Sequence, residues 1–192
     1  RLSVLMVRYA LTKDIDPSKT AKARGSDLRV SFKNTRETCK AIHNMGLIRA
    51  KAFLRNVLDH KEIVPFHRYK KGVSHKPQSK NHKGTSVGRW PEKSVKIVLS
   101  LLKNVEENAR SKELDVARLR LTHVAVNRAR THRRRTYRAH GRIGPFLANP
   151  CHIEVIATQG AKKIKMKARP SADAPKKLSK KKEKRERRKV IT

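Results

Sequence analysis

Apolar positions recur along the chain at two periods, and the change of period divides it. In residues 34–46, Cys39, Ile42 and Met45 fall at helical spacing. Asn34, with Glu37 three positions on, reads as a capping-box variant that starts this helix, and Gly46 as its left-handed stop. A second helix is predicted over residues 47–60, with Leu47, Ala50, Leu54, Val57 and Leu58 as its buried stripe. A third opens at Pro91, a residue suited to the first helical position. Its apolar positions are Val95, Val98, Leu99, Leu102, Val105 and Ala109, widened by Ile97 and Leu101. So broad a stripe marks the central buried helix. The period then changes to two. Leu119, Leu121, Val124 and Val126 switch face near Thr122 or His123, which a bulge would explain. Ile153, Val155 and Ala157 alternate in a second strand. Residues 128–150, between these strands, show no apolar alternation strong enough for a core, and Gly141, Gly144 and Pro145 are bend signals.

This pattern predicts an α+β fold: a small sheet packed against about three helices, with a long basic β-hairpin extension and basic tails of disordered type. Residues 1–26 form an N-terminal extended segment. Residues 27–160 form a globular domain that includes a basic insertion, 62–90, and the hairpin arm, 128–150. Residues 161–192 form a Lys-rich tail.

Charge sharpens this picture. The 192 residues carry 50 Lys and Arg against 15 Asp and Glu, a net charge of +35. Leu, Ile, Val and Phe together number 44, enough for one modest core. Such a chain repels itself when compact, so a polyanion is its expected partner, nucleic acid or an anionic membrane. The apolar runs around Ile97 and Val4 fall far short of the ~20 residues of a membrane span, and residues 1–10 lack the marks of a signal peptide. A membrane-surface role would need exposed aromatics on an amphipathic helix, and aromatics make up only 4% of the chain. Cys39 and Cys151 are too few for a disulfide framework and fit a reducing compartment. Both are expected to be small buried hydrophobes.

The charge is unevenly distributed. Residues 116–153 contain no Asp, Glu or Lys, yet hold Arg118, Arg120, Arg128, Arg130, Arg133, Arg134, Arg135, Arg138 and Arg142. Guanidinium is planar, gives forked donors to phosphate oxygens and stacks on bases. An arm so rich in it cannot bury itself in its own protein, so it reads as an ordered RNA-contacting element, with Tyr137 and His140 among its contacts. A second acid-free stretch, residues 63–91, places Arg68, Lys70, Lys71 and Arg89 toward RNA. Trp90 there is either a helix-start anchor or a base-stacking residue. The tail has eleven Lys and four Arg against three acids, a looser electrostatic tether. Residues 180–185 also resemble a nuclear import signal.

Other chemistry has little support. His60, His67, His75 and His82 lie seven or eight positions apart without cysteines, whereas zinc sites prefer tighter pairs, so no metal and no cofactor are expected. No phosphate-binding glycine loop, nucleophile elbow or metalloprotease motif occurs, and the chain is not expected to be an enzyme.

Three segments carry a resemblance: residues 123–127 (HVAVN), 133–143 (RRRTYRAHGRI) and 151–154 (CHIE). They resemble the exit-tunnel hairpin of a universal large-subunit ribosomal protein family, numbered twenty-two in bacteria and seventeen in the eukaryotic scheme. Residues 6–9, 24–38 and 88–109 are similar to its eukaryotic form, and residues 60–87 look like the eukaryotic insertion. The resemblance implies a globular part near the polypeptide exit and a hairpin threaded through large-subunit rRNA. The hairpin tip, here Arg138, Ala139, His140, Gly141 and Arg142, would line the tunnel. It also implies that neighbouring ribosomal proteins and the nascent polypeptide are partners, with no homo-oligomer. The location implied is the cytoplasmic ribosome after a nucleolar assembly stage. The alternative is a free architectural protein of chromatin or RNA.

Overall fold

The structure is a computed structural model that describes residues 9–10, 16–82 and 84–160. The tail, including residues 180–185, lies outside the described residues. Ten elements follow in chain order after a short 3-10 turn at Pro17–Lys19: β1 (Thr20–Leu28), α1 (Phe32–Ile42), α2 (Leu47–Leu58), β2 (Val64–Pro65), β3 (Gly88–Arg89), α3 (Glu92–Arg110), β4 (Leu119–Arg128), β5 (His132–Tyr137), β6 (Ile143–Ala148) and β7 (Cys151–Gln159). The fold is α+β, as the periodicity predicts.

The main sheet is antiparallel with the order β1-β7-β4. β7 is its centre, and both of its faces are buried: Ile153, Val155 and Ala157 on one, Glu154 and Ile156 on the other. α3 packs across β1 and β7, and α1 across β4, while α2 lies against α3. Val95, Val98, Leu102, Val105 and Ala109 of α3 are all buried, so the broad stripe does mark the central helix. Pro91 immediately precedes α3 as its cap residue.

The face switch in β4 is a bulge. Leu121 pairs with Ala157 and His123 with Ile156, which leaves Thr122 out of register. The slip returns Val124 and Val126 to the face of Leu119 and Leu121, opposite Val155 and Ile153. One apolar face is thereby kept through ten residues.

β1 begins at Thr20, inside the segment set apart from the sequence as 1–26. Its inward residues are Ala21, Ala23 and Gly25, too small to register as a hydrophobic pattern. They are small because α3 lies close: a Cβ on Gly25 would come within 2.9 Å of the Leu28 side chain and 3.3 Å of Leu101.

The start and stop of α1 differ from the expectation. Ser31 is the cap residue, one position before Phe32, and Asn34 lies within the first turn. The left-handed residue after the helix is Asn44 (φ 63°) rather than Gly46. Gly46 instead has φ −65° and caps α2. The corner between α1 and α2 is stitched to β4 by two backbone bonds: Asn44 N–H donates to Leu121 O, and Leu121 N–H to Met45 O, both at 2.9 Å. These bonds hold Asn44 in a conformation that asparagine tolerates.

Glu37 is fully buried and has no capping role. Its carboxylate accepts from the backbone N–H of His67 (2.9 Å), Arg68 (3.3 Å) and Tyr69 (3.3 Å), and from Arg36 Nη1 at 2.8 Å. It therefore clamps the start of the insertion onto α1. Ile63, Val64, Phe66 and Val87 bury the insertion's two ends, and the β2–β3 pair closes it. Cys39 and Cys151 are free and buried, as small hydrophobes should be.

Candidate nucleic-acid interface

β4 and β7 pair as far as Arg128 opposite Cys151. The ladder continues through Ala129 N–H, which donates to Pro150 O at 3.1 Å. β5 and β6 then pair from His132 opposite Ala148 to Tyr137 opposite Ile143. At ~3.3 Å per residue the arm reaches roughly 30 Å beyond Arg128. Its turn is residues 138–142. Arg138 N–H donates to Arg142 O at 2.7 Å, and His140 (φ 56°) and Gly141 (φ 69°) both adopt left-handed backbone. The turn requires two consecutive positive φ values, which explains a glycine at the second position.

Both faces of the arm are exposed. One carries Arg133, Arg135 and Tyr137 beside Ile143, Pro145 and Leu147; the other carries His132 and Arg134 beside Phe146 and Ala148. Tyr137 is 72% exposed, Phe146 60%, and Ile143 and Leu147 52% each. Elsewhere among the described residues, Ile48 is the one other large apolar side chain so exposed. Mixed apolar and arginine faces on a projecting two-stranded arm are what a buried, anionic environment would satisfy. The acidic groups lie elsewhere: residues 116–153 have none.

The predicted residues outside the arm lie in three places. Arg118 and Arg120 sit at the far end of β4 from the arm. Both are exposed, and Arg118 pairs with Asp115 at 3.0 Å. Arg68, Lys70 and Lys71 are exposed at the start of the insertion. This insertion group approaches the arm root through aromatic rings. Tyr69 meets Phe32 edge-on, with ring centroids 6.1 Å apart, and Arg128 lies 5.1 Å over Phe32. Lys33 and Arg68 flank Tyr69 at 5.8 and 5.9 Å. Sequence reading missed Phe32, Lys33 and Arg29, because nothing in the spacing relates residues 29–33 to position 128.

Arg89 and Trp90 are also held within the protein. Arg89 Nη2 donates to Gly72 O at 2.6 Å, holding the insertion closed. Trp90 is half-buried against the core, its ring 4.9 Å from His60 and 5.9 Å from Lys76 Nζ. This is the anchor placement, at the start of α3.

The titration shifts are structural. Burial alone would raise the Glu37 pKa, but the His67 amide, the Arg36 guanidinium and the Tyr69 amide hold it below the usual carboxylate range. Burial pushes the Cys39 thiol far up, with Cys151 adding to the effect. Among the described residues, no group of three or more His, Cys, Asp or Glu is placed to share a metal ion, and no helix is long and apolar enough to cross a membrane.

A cleft of about 790 Å³ opens at the arm root. Residues 29–31 form one wall, residues 132–134 of β5 another, and residues 147–150 the rest.

The sequence model of the family described as Ribosomal protein L22p/L17e matches residues 23–158, a span that takes in most of the sheet, the helices and the whole arm. The chain is also similar to curated proteins described as large ribosomal subunit protein uL22. That of Anopheles gambiae is 54% identical over 186 residues, covering 97% of this chain and 98% of the relative. That of Carabus granulatus is 55% identical over 168 residues, covering 84% and 91%. That of Bombyx mori is 51% identical over 188 residues, covering 97% and 99%. With a matched span that covers most of the chain and relatives that align along nearly their whole length, the chain belongs to the L22p/L17e family of ribosomal proteins.

Proposed function

We propose that the chain is a structural constituent of the large ribosomal subunit. It binds large-subunit rRNA through its arm and through the basic face around Tyr69, and residues 138–142 line the nascent-peptide exit tunnel. Its role is to hold folded RNA and shape a conduit during subunit assembly and translation, with no catalytic step of its own. Its partners are the rRNA, neighbouring large-subunit proteins and the nascent polypeptide. It works in the cytoplasmic ribosome after a nucleolar assembly stage.

One observation carries this reading: a ~30 Å two-stranded arm whose side chains are arginine and exposed apolar groups with no acid among them. A two-stranded ribbon is at best marginal alone in water. Arginine supplies phosphate forks and stacking, and the apolar groups supply contacts to base and sugar surfaces. Only a packed polyanion provides both partners along both faces.

Sedimentation tests it. A tagged chain expressed in eukaryotic cells is expected on large subunits and to stay there through moderate salt washes. Recovery on chromatin or free in the cytosol would favour a free architectural protein and overturn the ribosomal reading.

A further inference from the structure

We propose that the cleft at the arm root captures a single unstacked nucleotide of the bound RNA. This deepens the ribosomal reading and rests on it. At about 790 Å³ the cleft falls within the roughly 300–1,000 Å³ of sites that enclose a small ligand. That is far too small for a duplex and suited to one extruded nucleotide. Its walls divide into three kinds of chemistry. Arg29 and Arg133, the latter on the same face of the arm as Leu147, supply cations, and no carboxylate of the described residues pairs with them. Leu147, half exposed, is an apolar surface against which a base can lie. Asn149 supplies a side-chain amide that makes no hydrogen bond within the described protein, although its backbone O accepts from Phe32 N–H at 3.3 Å.

This combination favours a nucleotide over an acidic peptide. An acidic side chain would use the arginines but present no flat ring face to Leu147. A nucleotide uses all three: phosphate on guanidinium, base face on Leu147, and base edge on the Asn149 amide, which can give and accept a bond at once. RNA recognition outside helices commonly depends on such splayed bases. The backbone bond from Phe32 to Asn149 fixes the two walls relative to each other, so the cleft is preformed rather than assembled by the RNA.

The test uses assembled large subunits. A photo-cross-linking amino acid replaces Leu147 in one tagged chain and Ile48, the exposed apolar residue of α2, in a control. Subunits are purified, irradiated and the adducts mapped by reverse transcription. The expected result is one dominant adduct from position 147 at an unpaired nucleotide. In Asn149→Leu particles that nucleotide should become more reactive to chemical probes by on the order of tenfold, equivalent to one lost base contact. Adducts within paired helices, adducts to a protein, or unchanged reactivity in Asn149→Leu particles would overturn the nucleotide site while leaving the ribosomal reading intact. Failure of the tagged chain to enter large subunits at all would instead overturn the ribosomal reading, and the nucleotide site with it.

Discussion

Glu37→Gln should destabilise the domain selectively at the root of the insertion. The carboxylate is fully buried. Its Oε1 accepts from Arg36, Arg68 and Tyr69, and its Oε2 from His67. An amide keeps one acceptor. With its oxygen in the Oε1 position, the amide NH2 faces the His67 N–H donor to donor, and the shortest backbone bond is lost. With its oxygen at Oε2, three donors lose their acceptor. A hydrogen bond to a charged group contributes ~1.5–3 kcal/mol, and the donors that keep a partner exchange a charged acceptor for a neutral one, so about 3 kcal/mol is expected. For a domain of this size that is a melting-temperature drop of roughly 6–12 °C. Urea titration of the full chain at pH 7 measures the stability loss. Hydrogen exchange should show it first at the amides of His67, Arg68 and Tyr69. The effect also has a pH signature. The folded pKa of Glu37 is lowered, so the wild type's advantage is complete above the unfolded Glu value of ~4.3. It is lost as pH falls through the folded value. The gap between wild type and Glu37→Gln should therefore close in acid. A loss under about 0.5 kcal/mol at pH 7, typical of a surface change, or a gap that does not narrow in acid, would refute the clamp.

Three further outcomes follow from the same geometry. Changing Arg133, Arg134 and Arg135 together to Glu should exclude the chain from large subunits on gradients, yet leave its urea stability within about 0.5 kcal/mol, because all three lie outside the core; loss of the unfolding transition would show the arm to be structural. Ala139→Trp should permit assembly but alter nascent-chain arrest and elongation, read by ribosome profiling, and an unchanged profile counts against a tunnel position for the turn. Gly88→Ala should cost roughly 1–3 kcal/mol in urea titration, since its Cβ would sit 2.7 Å from Val64 O, a backbone atom that cannot yield cheaply; a neutral effect would mean that the β2–β3 pair is slack.

Elements whose side chains are large and periodic were legible in the sequence. α2, α3 and β7 needed only the apolar stripe, and even the bulge at Thr122 showed as a change of face. β1 was not legible, because the close approach of α3 selects Ala21, Ala23 and Gly25 there, and small residues leave no amphipathic signal. Glu37 illustrates a different limit. Its spacing from Asn34 matched a local capping rule, but its partners are amides some thirty positions away, brought there by the insertion. A local motif and a tertiary clamp can use the same residue type at the same spacing. The choice between them rests on contacts that no window contains. The arm was legible by charge: an acid-free run of arginine between two strands has few physical uses. The cleft at its root was not, since residues 29–31 and 147–150 are joined only by the sheet.

The division of labour among the basic residues also reflects where each can be held. Arg133, Arg134 and Arg135 have no acidic partner among the described residues and stand on a ladder with its backbone groups paired, so their guanidinium planes are offered at fixed spacing on alternating faces. Arg89 and Arg118 have partners, Gly72 O and Asp115, and so serve closure of the insertion and the end of β4. A count of positive charge therefore includes two side chains that already have partners within the protein. The same count omits the exposed side chains of Phe146 and Leu147, which carry no charge. Each is half exposed or more and costs the free protein hydrophobic surface in water, at roughly 25 cal/mol per Å². That cost is recovered only when the arm is packed against a partner. In the proposed RNA complex the arm's apolar residues, which salt does not screen, would complement arginines whose phosphate contacts weaken as salt rises.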